Sequence, residues 1–169
     1  MGKSTFSGPL KVGTNKVGSG ANQGGATLMQ KVYFVPTASI TASIDEDGTT
    51  LATYNGYPAV AWAATAAAAT ASFNLPANAN IVDIIIDQPV VTTGGTAINL
   101  TSGISAAGVE YVASTDVKAT VRLRPTFTAA HLIAMANVGT NAATYVQVTP
   151  TASAVTAGVL SVTFLYTQV

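Results

Sequence analysis

From about residue 26 onward, short runs of β-branched and aromatic residues are separated by turn signals, and one stretch alone breaks that rhythm with a helical period. Such spacing marks an antiparallel sandwich or barrel. Leu28 to Ile44 is rich in strand formers and interrupted at Pro36. Asp45-Glu46-Asp47-Gly48 reads as a tight turn, Thr49 to Tyr54 as the returning strand, and Asn55-Gly56 as a second turn. Ile81 to Asp87 alternates, placing Val82, Ile84 and Ile86 on one face and Ile81, Asp83, Ile85 and Asp87 on the other. Further strands are expected at Ala97 to Leu100, Val109 to Ala113, Ala119 to Leu123 and Tyr145 to Thr149. After the turn Ala157-Gly158, Val159 to Thr167 sets Leu160, Val162, Phe164 and Tyr166 on one face. Ala59 to Ala71 is ambiguous, since alanine favours helix while Val60, Trp62, Thr65 and Thr70 allow strand. Strand is expected from about Ala66. Between Arg124 and Gly139, Thr128 can cap a short helix carrying Leu132, Ile133, Met135 and Ala136. The expected fold is an all-β antiparallel sandwich, jelly-roll-like, with one short helix.

The first 30 residues differ. Seven glycines lie between Gly2 and Gly25, the charges are the lysines Lys3, Lys11 and Lys16, and no acid is present. Too glycine-rich for a core of its own, this segment reads as an extended N-terminal arm that orders against a neighbour. The expected organisation is an arm over 1–30 and a β-sandwich domain over 31–169.

Composition then narrows the chemistry. The 169-residue chain has no cysteine, one histidine (His131) and one tryptophan (Trp62). Thiol catalysis, disulfide scaffolds and Cys/His zinc sites are excluded. Seven basic residues balance seven acidic ones, and only 8% of residues are charged, against about 25% in an ordinary soluble protein. A surface with so little charge is best suited to being covered by copies of the chain or by a partner. The hydrophobic fraction of 49% raises the question of a membrane, which needs about 20 consecutive apolar residues. The best window, Pro58 to Ala71, is short, alanine-dominated and interrupted by threonine. No membrane segment or signal peptide is expected.

The candidates for chemistry are few. His131 is the one conventional general base, and a triad would need a nucleophile and a carboxylate brought to it in space. Asp45, Glu46 and Asp47 lack the spacing of a calcium loop. Asp83 and Asp87 lie about 13 Å apart along a strand, beyond paired-carboxylate chemistry. Arg122 and Arg124 alternate on one strand face, suited to a carboxylate or phosphate of a partner or to a salt bridge with Asp116 or Glu110. Two arginines on a neutral chain do not make a nucleic-acid surface. Tyr54-Asn55-Gly56-Tyr57 could form an aromatic loop tip that grips a sugar or a protein. No catalytic residue, metal ligand or cofactor is assigned.

Lys3-Ser4-Thr5-Phe6-Ser7-Gly8-Pro9-Leu10-Lys11-Val12-Gly13 resembles the opening of small virion proteins of tailed bacteriophages. The segment Thr70 to Asp83 is similar to their strand–loop–strand unit, and Thr149-Pro150-Thr151 with Thr156 to Thr163 and Tyr166 is similar to their C-terminal hairpin. The resemblance implies a non-enzymatic capsid decoration (cement) protein, made in the bacterial host cytoplasm and carried on the capsid surface. Its partner would be the major capsid protein; because symmetric assemblies are commonly closed and cyclic, a homotrimer is also expected. It supplies no active-site residue. Lys3, Phe6, Leu10, Lys11 and Lys16 of the arm are the expected contacts with an acidic shell; Arg122, Arg124, Tyr54, Tyr57 and Trp62 are possible interface residues. The rival readings are a head-fibre or tail-associated carbohydrate- or receptor-binding module, with Tyr54, Tyr57 and Trp62 in an exposed patch, and a small hydrolase using His131.

Overall fold

The computed structural model describes residues 27–44, 50–63, 65–119, 121–140 and 143–168. The strands are β1 (Thr27–Val35), β2 (Thr41–Ile44), β3 (Thr50–Tyr54), β4 (Tyr57–Ala61), β5 (Ala69–Asn74) and β6 (Asn80–Gly94). There follow β7 (Ile98–Gly103), β8 (Val112–Asp116), β9 (Arg122–Leu123), the helix α1 (Ala129–Ala136), β10 (Ala143–Pro150) and β11 (Val155–Thr167). They form a seven-stranded sheet in the order β2-β3-β4-β1-β11-β6-β9 and a four-stranded sheet in the order β5-β10-β7-β8.

That order is a jelly roll. The antiparallel pairs β1·β11, β5·β10, β6·β9 and β7·β8 nest inside one another along the chain. The eight strands are thus one long hairpin, rolled so that successive pairs fall alternately in the first and second sheet. The hairpin β2–β3 and the strand β4 are an insertion between β1 and β5; β4 runs parallel to β1 and widens the first sheet.

The core lies between the sheets. Phe34, Ile84, Ile86, Leu160, Val162 and Phe164 face inward from the first sheet, against Ile98, Leu100, Val146 and Val148 from the second. The alternation expected in Val159 to Thr167 is therefore the one observed. In β6 it changes phase. The register shifts between Leu165↔Asp83 and Tyr166↔Ile81, so Val82 is the extra residue of a bulge. Val82 is consequently exposed, and Ile81 joins the core instead.

Other boundaries also move. β1 starts at Thr27, inside the stretch that composition groups with the arm, and the ambiguous alanine-rich segment contributes the end of β4 and the start of β5. Of the strand expected at Ala119 to Leu123, β9 takes in Arg122 and Leu123, and the one expected at Val109 to Ala113 is shifted to β8. Both are exposed in part, where turn and edge contacts override propensity.

Thr144 points into the core from β10, fully buried, and its hydroxyl has no hydrogen-bond partner. A buried, unpaired hydroxyl carries a desolvation cost of about 1–3 kcal/mol. Thr144→Val, of nearly the same shape, is expected to stabilise the domain by about 1 kcal/mol, raising Tm by about 3 °C in calorimetry. A lower Tm would mean that the hydroxyl is satisfied.

Candidate functional site

Because Val32, Phe34 and Val162 face the core, the residues between them face outward. The outer face of the first sheet carries an in-register row across four strands: Tyr33 on β1 opposite Ser161 on β11, Ser161 opposite Asp87 on β6, and Asp87 opposite Arg122 on β9. Serine is the smallest member, so the row dips at Ser161. The dip belongs to an open groove of about 480 Å³, lined also by Lys31 and Val121.

The charges on this face are arranged in pairs. Arg122 donates from Nε to Asp87 Oδ1 at 2.5 Å and from Nη2 to Oδ2 at 3.3 Å. Arg124 Nε lies 3.3 Å from Asp83 Oδ2. The Asp87 hydrogen bond, and then its charge, hold the Arg122 guanidinium even further above neutrality than usual. The aspartates that flank the core residues of β6 are thus the partners of the two arginines. Asp116 and Glu110, the partners expected from sequence, are engaged elsewhere: Asp116 Oδ1 accepts from the backbone N–H groups of Ile98 and Lys118, and Glu110 Oε2 from that of Ile104.

Lys31 takes a different partner. Its Nζ lies 5.6 Å from the ring centroids of both Tyr33 and Tyr57, within cation–π reach. Asn55 and Gly56 both have positive φ, which makes the tight turn that sets Tyr54 opposite Tyr57. Both rings then pack on Tyr33, with centroids 5.2 Å and 6.0 Å away. Tyr54 and Tyr57 are thus brought together at the turn. Trp62 does not join them in an exposed patch: it is 5% exposed, packs on Phe34 in the core, and donates from Nε1 to the Gly158 carbonyl at 3.1 Å. An indole that fills the core cannot serve as an interface residue or as part of an exposed sugar-gripping patch.

His131 has a structural task. Its Nδ1 accepts from the Thr128 backbone N–H at 3.2 Å, while its own N–H donates to Thr128 Oγ1 at 3.3 Å. This is a reciprocal capping box at the start of α1, with histidine in the place usually held by Glu or Gln. The Thr128-x-x-His131 spacing is its signal in the sequence. Lys3, Phe6, Leu10, Lys11 and Lys16, and the acidic turn Asp45-Glu46-Asp47, lie outside the described residues. Among the described residues no three His, Asp or Glu side chains gather as metal ligands, and no helix is long and apolar enough to cross a membrane.

Sequence reasoning did not single out Ser161 or Lys31 as site residues. Each is a polar residue beside core residues on its strand. Only the pairing of strands far apart in the chain shows that they meet.

No protein-family model matches the chain, and no curated protein does. Among solved structures, the fold is similar to that of a chain from the capsid of Ralstonia phage GP4, with a TM-score of 0.52 and 18% sequence identity over 88% of each chain. At that identity the likeness establishes a shared all-β architecture.

Proposed function

We propose that this chain is a non-enzymatic structural protein of a tailed-phage virion, a decoration (cement) protein on the outer surface of the head. The observation that carries the reading is the shared fold with a phage capsid chain over 88% of both lengths. The scarcity of charge, together with exposed Ile44, Val121 and Ile133, suits a protein whose surface is covered after assembly. The engagement of His131 Nδ1 in a helix cap also favours a non-catalytic role. In this reading the partner is the major capsid protein, reached by Lys3, Phe6, Leu10, Lys11 and Lys16 of the arm, and the working form is a homotrimer on the shell. Neither cofactor nor nucleic acid takes part. Many copies on a symmetric lattice gain avidity without strong single contacts.

Immunogold labelling of intact virions with antibodies to the β-domain should decorate the heads. Label confined to tails or fibres would replace this reading with the fibre- or tail-associated one. Removing residues 1–25 should leave the domain folded with its Tm unchanged but weaken co-sedimentation with heads about tenfold, or ~1.4 kcal/mol. Undiminished binding would take the arm out of the contact.

A further inference from the structure

We propose that the groove on the outer face of the first sheet receives a carboxylate, the acidic side chain of an extended segment of a protein partner. The described residues of this face carry three cations, Lys31, Arg122 and Arg124, against two carboxylates, Asp83 and Asp87. The two aspartates are taken by the arginines. Lys31 is the cation left over: among the described residues no carboxylate lies within ion-pair distance of it, and the faces of Tyr33 and Tyr57 hold its ammonium at the groove.

Arg122, which lines the same groove, brings further donors to it. Of the five N–H donors of a guanidinium, Arg122 directs two at Asp87, leaving three for a ligand. Ser161 forms the floor of the groove, 2% exposed. Tyr33 and Asp87 stand one strand to either side of it, so the opening spans two strand spacings, about 9.6 Å. That width admits one side chain from an extended chain lying across the sheet, with Val121 and Pro89 available to its methylene groups.

The ligand class follows from what the groove lacks. One surplus positive charge balances a single carboxylate, whereas a phosphate dianion or a polyanion would leave uncompensated negative charge in the groove. A sugar would stack on an aromatic face, and Lys31 sits over one face of both Tyr33 and Tyr57, its Nζ 5.6 Å from each centroid. A shell protein and any other protein partner with an acidic side chain would present the same group to the groove.

The test is an NMR titration of the full-length isotope-labelled chain with acetyl-Ser-Glu-Ser-amide, its Gln counterpart and sodium acetate. The Lys31 Cε–Hε and Arg122 Nε–Hε signals should move saturably with the Glu peptide, with a Kd on the order of millimolar, and about tenfold more weakly with the Gln peptide and with acetate. Lys118, whose Nζ donates to the Gly95 carbonyl on another part of the surface, should stay still. Lys31→Met keeps the aliphatic stem and should erase the preference for Glu over Gln while the backbone spectrum stays native. Equal responses to Glu and Gln, a Glu preference that survives Lys31→Met, or acetate binding as tightly as the peptide would each overturn the proposal.

Discussion

Phe164→Asp is expected to abolish the folded domain. Phe164 is fully buried on β11, the strand flanked by β1 and β6, where it stands opposite Gln30 on one side and Ile84 on the other. Its ring meets Phe73 of the other sheet edge-on, with centroids 5.2 Å apart and planes at 70°, so it joins the two layers of the roll. Truncating such a phenylalanine costs about 3–5 kcal/mol. Introducing an unpaired carboxylate there adds several kcal/mol more, or forces its protonation. A domain of this size has a total stability of roughly 5–15 kcal/mol, so the sum consumes most or all of it. Circular dichroism should show no cooperative melting transition for Phe164→Asp. Phe164→Leu, which keeps the burial apolar, should melt cooperatively at a lower temperature. A normal Tm for the aspartate variant would mean that the inward face of β11 is wrongly assigned.

That face was legible because β11 is long and strictly alternating around Leu160, Val162 and Phe164, and a two-residue period admits one inward set. The jelly-roll character and the capped helix after Thr128 were legible for similar reasons: turn signals and cap chemistry are local. What was not legible depended on partners distant in sequence. Asp83 and Asp87 are four residues apart and Arg122 and Arg124 two apart, which suggests no common pairing. In the antiparallel register Asp87 meets Arg122 directly, and Arg124 reaches Asp83 diagonally past Ile85, a step that the long arginine side chain spans. The bulge at Val82 has no sequence mark at all. Trp62 lies only five residues after Tyr57 in sequence, yet β4 runs along β1 and delivers it to the core beside Phe34. The groove itself is a product of register, since Tyr33 and Ser161 meet only when the first strand of the roll pairs with the last.

Gly158→Ala is expected to be nearly as damaging as a core charge, through the backbone instead of the side chain. Gly158 has φ +110°, a conformation that L residues rarely adopt, and β11 changes register with β6 on both sides of it. A Cβ there would sit 2.4 Å from Thr92 Cα and 2.8 Å from Thr92 N, so backbone has to move. Strain of this kind costs about 1–3 kcal/mol before the clash is counted. The displaced carbonyl is also the acceptor for Trp62 Nε1 at 3.1 Å, and losing it orphans a buried indole N–H, about 1–3 kcal/mol again. The expected total is about 3–5 kcal/mol, or a Tm lower by about 10 °C. Trp62→Phe separates the two contributions. On its own it should lower stability by losing the indole packing and its bond to Gly158. In the Gly158→Ala background, where that bond is already broken, its cost should shrink, giving a coupling energy of at least about 0.5 kcal/mol in the double-mutant cycle. Strict additivity would show that the carbonyl stays in place, and that the close approach of β11 to Thr92 alone requires glycine at this position.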